Sequence, residues 1–309
     1  MGVFNGKGKG VNMTENFENL LQQMRPNTPR VIALAMATDK HALKSLVRAY
    51  EMEFATAILC GPADEIRRVA NENNLDIDNF EIVDCPDDIA AAKCAVELVR
   101  DKRADVLMKG LVHTADILRA VLNKETGIRG DGILSHVAYM YSPSANRRFI
   151  LTDIAMVMYP DLDKKVQLIK NAVKFAKSIG IDTPRVAPLC AVETLNPAMP
   201  ATVDADALAQ MNSRGEISDC IISGPVAFDI AVSRDAANAK GITGPVQGNA
   251  DILLFHNIEA GNNTLKAMVQ FGDWIFGGVI LGATAPIIIN SRSDSDLSKL
   301  FSVACACKM

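Results

Sequence analysis

Strand-length apolar runs that alternate with helical segments dominate residues 31–122, and this pattern constrains the fold more than any other feature. The apolar runs lie at residues 31–37, 54–60, 80–83 and 105–108, and the segments of helical spacing at 40–51, 63–72, 87–100 and 114–122. Strands that are apolar along their whole length are typical of parallel sheets that helices cover on both faces. The sequence therefore predicts a mostly parallel α/β sheet in this part of the chain.

The rest of the chain predicts that the sheet becomes mixed. Two apolar runs, 133–141 and 148–157, are joined by the turn sequence SPSAN, which favours a hairpin. Further elements follow: a helix from 162 to 180, strands at 185–191, 219–222, 252–255 and 285–289, a helix at 204–212, a polar turn at 257–262, then a helical segment through Lys266 and a glycine-rich turn before the last strand. A second α/β domain is expected to begin near the hairpin.

Composition and charge exclude several classes of partner. The net charge of −4 argues against a nucleic-acid-binding surface, which needs clustered cations. No apolar run reaches the roughly 18 residues of a membrane span, and the N-terminus lacks the apolar segment of a secretory signal. The seven cysteines are scattered, as expected for reduced thiols. We expect a cytoplasmic protein with no nucleic-acid or membrane partner, and a flexible tail over the Gly/Lys-rich residues 1–14.

Polar residues follow two of the predicted strands, and they suit an oxyanion. Lys109 and Gly110 end the strand at 105–108, His113 and Thr114 begin the next helix, and residues 290–294 (NSRSD) follow the last strand. Ligands of open α/β sheets bind at the carboxyl ends of strands, and a helix N-terminus attracts anions. The sequence contains no Walker A, GxSxG, HExxH, CxxC or Rossmann GxGxxG motif. These features favour a cleft that binds phosphate or another oxyanion rather than a metal ion.

The motifs resemble those of the phosphate acetyltransferase/phosphate butyryltransferase family, over roughly residues 30–309. The matching pieces are KGLVHTADILR at 109–119, SGPVAFD at 223–229, NIEAGN at 257–262 with Lys266, and SRSDS at 291–295. IEAGN and SRSDS are closer to the butyryl and branched-chain enzymes than to the acetyl enzymes. The resemblance implies the reaction acyl-CoA + phosphate ⇌ acyl phosphate + CoA, with no tightly bound cofactor and with a homodimer or larger assembly.

The resemblance also implies a fold and a set of site residues. The fold is a two-domain α/β fold like that of isocitrate and isopropylmalate dehydrogenases, with the active site in the interdomain cleft. The first domain comprises residues 1–135 and 285–309, and the second comprises 136–284. The implied catalytic residues are Ser291, Arg292 and Asp294, and the implied substrate-binding residues are Lys109, Gly110, His113, Thr114, Asn262 and Glu259.

Each catalytic candidate suits one part of this chemistry. Arg292 offers a planar pair of donors to phosphate oxygens, and Ser291 can donate to phosphate or to the developing oxyanion. The general base is left open between Asp294, Asp296 and none, because the spacing places Ser298 where the acetyl enzymes carry an aspartate.

Two other functions remain open at this point. One is a metal- and NAD(P)-dependent hydroxyacid dehydrogenase on the same fold, and the other is a catalytically silent acyltransferase-like module. The sequence determines neither the acyl-chain preference nor the physiological direction.

Overall fold

The computed structural model describes residues 13–309, and its first part repeats strand and helix as the sequence predicts. The elements are α1 (Met13–Met24), β1 (Arg30–Ala35), α2 (Lys40–Glu51), β2 (Ala55–Gly61), α3 (Ala63–Glu72), β3 (Glu81–Asp84), α4 (Asp88–Arg100), β4 (Val106–Lys109) and α5 (Thr114–Val121). The prediction of a flexible tail falls largely on residues 1–12, which lie outside the described range.

The second part begins with the predicted hairpin. β5 (Ser135–Ser142) and β6 (Arg147–Thr152) pair antiparallel, which confirms the hairpin. The elements that follow are α6 (Leu162–Ser178), β7 (Arg185–Pro188), α7 (Pro200–Ser213), β8 (Ile221–Ile222), α8 (Phe228–Val232), α9 (Arg234–Ala239), β9 (Ile252–Leu254), α10 (Ile258–Phe271), β10 (Ile275–Leu281), β11 (Ile287–Ile288) and α11 (Asp296–Cys307).

All of these strands lie in one mixed sheet, in the order β3-β2-β1-β4-β11-β10-β5-β6-β9-β7-β8. Five neighbouring strands at one end of the sheet are parallel: β3, β2, β1, β4 and β11. Strand β10 runs antiparallel to its two neighbours, β11 and β5. The last four strands, β6, β9, β7 and β8, are parallel to one another. The prediction of a mixed α/β sheet is therefore confirmed. Because β1, β4 and β11 are adjacent and parallel, their carboxyl ends lie side by side. The division into two domains stays a prediction.

The C-terminal helix α11 is the most buried helix of the core. Every residue from Ser298 to Cys307 is buried, and the helix packs between β10 and α2. The Phe301 ring lies 5.4 Å from that of Phe17 and 5.5 Å from that of Tyr139, measured between ring centroids. Full burial of one such side chain stabilises the fold by about 1.5–3 kcal/mol. This packing holds the segment that follows β11 in place.

Two of the sequence predictions around α10 are wrong. Residues 257–262 are not a polar turn, because Asn257 accepts a hydrogen bond from the Ala260 N–H and caps a helix that begins at Ile258. The glycine-rich stretch that follows is largely strand β10. A Cβ atom on Gly277 would lie 2.6 Å from the Cys305 Sγ atom and 2.7 Å from the Phe301 carbonyl oxygen. The glycine is therefore needed for the close approach of α11 to the strand, not for a turn.

Candidate functional site

Lys109 ends β4, Arg292 lies in the segment after the adjacent strand β11, and the two charges lie within electrostatic reach of each other. Lys109 pairs in register with Ala35 of β1, and the residue before it pairs with Ile288 of β11. Burial holds the pKa of Lys109 below its ordinary value, the carboxylate of Asp39 opposes this shift, and the positive charge of Arg292 adds to it. Two cationic side chains at one strand edge create a positive potential that attracts anions.

Gly110 controls how closely β4 approaches β1 at this edge. Its N–H donates to the Ala35 carbonyl oxygen at 2.8 Å, and the Leu111 N–H donates to the Met36 carbonyl oxygen at 2.9 Å. A Cβ atom at position 110 would lie only 2.2 Å from the same Met36 oxygen. The Lys109 Nζ atom donates to the Gly110 carbonyl oxygen at 3.1 Å. Only glycine therefore allows the backbone geometry that positions Lys109.

The segment after β11 folds back on itself through Asp294. The Asp294 Oδ2 atom accepts the Ser291 N–H at 2.7 Å, and the hydroxyl oxygens of Ser291 and Ser293 lie 3.0 Å apart. The buried Lys299 donates from Nζ to the Asp294 main-chain oxygen at 2.5 Å. Ser291 and Arg292 remain exposed. The loop therefore presents a hydroxyl and a guanidinium on a braced backbone.

Asp296, the other candidate for a proton acceptor, has side-chain partners on α2. Asp296 accepts from Lys44 at 2.7 Å and lies 2.9 Å from the His41 Nδ1 atom. The hydrogen bond from Lys44 is the largest cause that lowers the pKa of Asp296, and His41 adds to it. Ser298 is buried, and its N–H donates to Ser295, the N-cap of α11. A carboxylate with a lowered pKa is a weaker base, so this geometry favours Asp294.

The remaining predicted residues make other contacts. His113 is the N-cap residue of α5 and makes no side-chain cap hydrogen bond, Thr114 begins the helix, and both are exposed. Asn262 of α10 donates from Nδ2 to the main-chain oxygen of Ile154, at 3.0 Å. Glu259 is exposed and accepts from the Tyr159 hydroxyl. None of these contacts reaches Lys109 or Arg292.

His136 and Asp153 are buried polar residues that the sequence motifs do not include. The buried His136 donates its main-chain N–H to the Asp153 Oδ2 atom at 2.8 Å, and Asp153 Oδ1 accepts the N–H groups of Ala155 and Met156 at 2.7 Å each. Burial lowers the pKa of His136, while the charges of Asp153 and Asp294 raise it. His136 therefore lies within electrostatic reach of the loop after β11. A histidine inside an otherwise apolar strand was the signal that could have found it.

Several buried polar atoms have no hydrogen-bond partner among the described residues. They include Oγ1 of Thr38 and Oδ1 of Asn290, which follow β1 and β11, Nε2 of His136, and Oγ1 of Thr152 at the end of β6. Buried polar groups are normally paired, and unpaired ones are costly to retain. A bound polar molecule would supply such atoms with hydrogen-bond partners. Within residues 13–309, no three His, Cys, Asp or Glu side chains converge in a way that could hold a metal ion.

Sequence comparison identifies the family. A sequence model described as phosphate acetyl/butaryl transferase matches residues 88–307. The chain is 44% identical over 294 residues to the phosphate butyryltransferase of Clostridium acetobutylicum, covering 95% of this chain and 98% of that protein. The chain belongs to the phosphate acetyltransferase/phosphate butyryltransferase family. It is also 38% identical over 288 residues to the phosphate acetyltransferase of Thermotoga maritima, covering 93% of this chain and 98% of that one.

Solved structures agree with this assignment. A branched-chain phosphotransacylase from Enterococcus faecalis V583 superposes with a TM-score of 0.81 at 31% identity, covering 90% of this chain and 98% of that chain. The predicted family and the predicted enzyme class, a phosphate acyltransferase, are confirmed. The dehydrogenase and the silent-module alternatives are not favoured. In the described part of the chain, no helix combines the length and the apolar character that crossing a bilayer requires.

Proposed function

We propose that this phosphate acyltransferase moves a short-chain or branched, butyryl-like acyl group between CoA and inorganic phosphate. The observation that carries the proposal is the adjacency of β4 and β11, which puts the charges of Lys109 and Arg292 within electrostatic reach of each other, with exposed Ser291 next to Arg292 in the chain. Phosphate bound between these groups is oriented toward the thioester of acyl-CoA. Both substrates are bound together, so no acyl-enzyme forms.

The residues match the steps of a direct attack. A phosphate oxygen forms a bond to the thioester carbonyl carbon, and negative charge develops on the carbonyl oxygen. The C–S bond then breaks, and the proton that phosphate loses passes to the departing CoA thiolate. Arg292 and Lys109 neutralise the phosphate charge and Ser291 donates to an oxygen, so positioning and electrostatic stabilisation supply most of the catalysis. We assign transient proton acceptance to Asp294, because Asp296 is ion-paired with Lys44.

The proposed site lies between two domains of the chain. Residues 1–135 with 285–309, and residues 136–284, form two domains of an isocitrate-dehydrogenase-like fold, and substrates bind in the cleft between them. His113, Thr114, Asn262 and Glu259 contribute to substrate binding along its walls. The enzyme acts in the cytoplasm as a homodimer or larger assembly, and it needs CoA and phosphate as substrates but no tightly bound cofactor or metal ion.

Removal of the Arg292 guanidinium tests the proposal directly. Arg292→Ala should lower kcat at least about 100-fold, because a fixed charge on the reacting phosphate is lost. Thiol release from butyryl-CoA in the presence of phosphate measures the rate. Arg67→Ala, which removes another exposed arginine on α3, is the matched control and should retain wild-type turnover. An Arg292→Ala enzyme with near-wild-type turnover would remove Arg292 from the site.

Substrate choice requires a rate series. Initial rates with acetyl-, propionyl-, butyryl- and isobutyryl-CoA should favour the four-carbon acyl groups, although each methylene contributes only about 1–3 kcal/mol to such discrimination. A clear preference for acetyl-CoA would contradict the butyryl-like assignment while leaving phosphate acyltransfer intact. A change in NAD(P)H absorbance with Mn²⁺ and a hydroxyacid would instead support the dehydrogenase alternative.

A further inference from the structure

A buried histidine beside the proposed site has one ring nitrogen that no described residue satisfies. The His136 side chain is 7% exposed, and its Nε2 atom is buried without a hydrogen-bond partner among the described residues. His136 is the second residue of β5, next to β10 in the sheet, where it pairs with Ile280. An unpaired imidazole nitrogen at such a depth costs stability unless a bound group pairs with it.

The backbone around the ring is shaped to leave room for it. A Cβ atom on Gly278 would lie 2.6 Å from the His136 Nε2 atom, so any other residue at position 278 would clash with the ring. The Gly278 N–H donates to the Ser302 Oγ atom at 2.9 Å, and Asn290 Nδ2 donates to the same oxygen at 3.0 Å. The Ser302 hydroxyl thus connects Gly278, which packs against the imidazole, to Asn290, which precedes the Ser291–Arg292 loop.

Asn290 also has an unpaired polar atom, and it contacts the loop that carries Ser291. Its Oδ1 atom is also buried without a partner among residues 13–309, and its Nδ2 atom lies 3.5 Å from Asp294 Oδ2. Asp294 in turn holds the Ser291 N–H. Contacts through Gly278 and Ser302 therefore link the ring of His136 to Asn290, the residue before the Ser291–Arg292 loop.

The protonation state of the His136 imidazole determines which hydrogen bonds it can make. Burial lowers the pKa of His136 more than the nearby carboxylates of Asp153 and Asp294 raise it, so the imidazole is neutral at neutral pH. A neutral imidazole carries a hydrogen on one nitrogen and can donate without transferring it. Phosphate already has two cationic partners in Lys109 and Arg292. A neutral donor suits an uncharged carbonyl oxygen that becomes negative only during the reaction.

We propose that His136 is a further catalytic residue, whose Nε2–H donates a hydrogen bond to the carbonyl oxygen of the acyl thioester. The inference rests on the phosphate acyltransferase function proposed above. The hydrogen bond strengthens as the tetrahedral oxyanion develops and weakens again as the acyl phosphate forms. No proton leaves the imidazole, and Asp294 keeps its separate role toward phosphate.

Two substitutions with opposite donor properties test the proposal. His136→Leu fills the space without a donor and should lower kcat about 100-fold, the usual effect of losing one oxyanion donor. The KM for phosphate should stay within about twofold, because the contact forms mainly in the transition state. His136→Gln places an amide N–H near the position of Nε2 and should return kcat to within about tenfold of the wild type. Thermal unfolding of each variant reports on the fold.

The outcomes separate this inference from the function on which it rests. If the wild-type enzyme converts no acyl-CoA with phosphate, the proposed function itself fails. If the wild type is active and folded His136→Leu is equally active, or if His136→Gln is impaired as severely as His136→Leu, the donor role is overturned. A raised KM for phosphate with unchanged kcat would also overturn it, since it would place the contact on phosphate. His256→Gln, in the segment after β9 and beside Lys165, is the matched control.

Discussion

Substitution of Gly110 by alanine should damage both the stability and the activity of this enzyme. The new Cβ atom would lie 2.2 Å from the Met36 carbonyl oxygen, 2.8 Å from the Ala35 oxygen and 3.0 Å from the Met36 carbonyl carbon. All three neighbours are backbone atoms of the segment that ends β1, so no side-chain rotation can relieve the clash. The ends of β1 and β4 must instead move apart.

The size of that movement sets the expected effects. The Cβ–oxygen distance has to grow from 2.2 Å to at least 3.0 Å, which strains the hydrogen bonds from Gly110 and Leu111 to β1. Overpacking of a close contact costs about 1–3 kcal/mol, and a rigid backbone neighbour places this substitution near the upper value. A displacement of about 1 Å in a positioning element lowers the rate about 100-fold. Lys109 immediately precedes Gly110, so it moves with the strand end.

The assay compares Gly110→Ala with a glycine that has room for a side chain. No atom lies within 4 Å of a Cβ built on Gly224, so Gly224→Ala should unfold in urea at nearly the wild-type midpoint. Gly110→Ala should unfold at a lower midpoint, and its kcat for thiol release should fall about 100-fold. If Gly110→Ala matches the wild type in both unfolding and turnover, the close approach of β4 to β1 does not position Lys109, and the reasoning is refuted.

Three further substitutions probe other contacts. Asp296→Asn should cost less than about 1 kcal/mol at neutral pH, because the pair with Lys44 is partly exposed. The pair with Lys44 lowers the pKa of Asp296 in the folded state. Its stabilisation is therefore complete above the ordinary aspartate pKa and is lost as the pH falls through the folded-state pKa. The urea midpoints of the wild type and Asp296→Asn should converge over that pH range. Lys165→Ala removes a buried partner of the partly exposed Asp204 and should lower the free energy of unfolding in urea by about 1.5–3 kcal/mol, the usual effect of losing a hydrogen bond to a charged group. Gly277→Ala should shift thermal unfolding downward by separating β10 from α11, a loss of about 1–3 kcal/mol, and an unchanged melting temperature would contradict the packing argument.

The local elements were largely predictable because their signals are local. The helices at 40–51 and 63–72 have the predicted bounds, since apolar spacing and an N-cap such as Asp39 act within one turn of a helix. The strand at 275–281 was missed because Gly277 and Gly278 suggest a turn when only their neighbours in sequence are considered. Contact with α11 and with His136 overrides that preference.

Lys109 and Arg292 could be proposed as partners from sequence because each follows a strand, and carboxyl ends of parallel strands share an edge. Their actual proximity depends on β11 lying beside β4, a pairing between residues about 180 positions apart that only the tertiary structure decides. The choice between Asp294 and Asp296 also required the fold, because Lys44 and His41 reach Asp296 from α2. His136 carries no motif, and its importance comes from burial and an unpaired nitrogen. The sequence by itself determined the family, the strand and helix alternation and the residue types of an anion site, whereas the desolvation and pairing of each side chain came from the packing of distant segments.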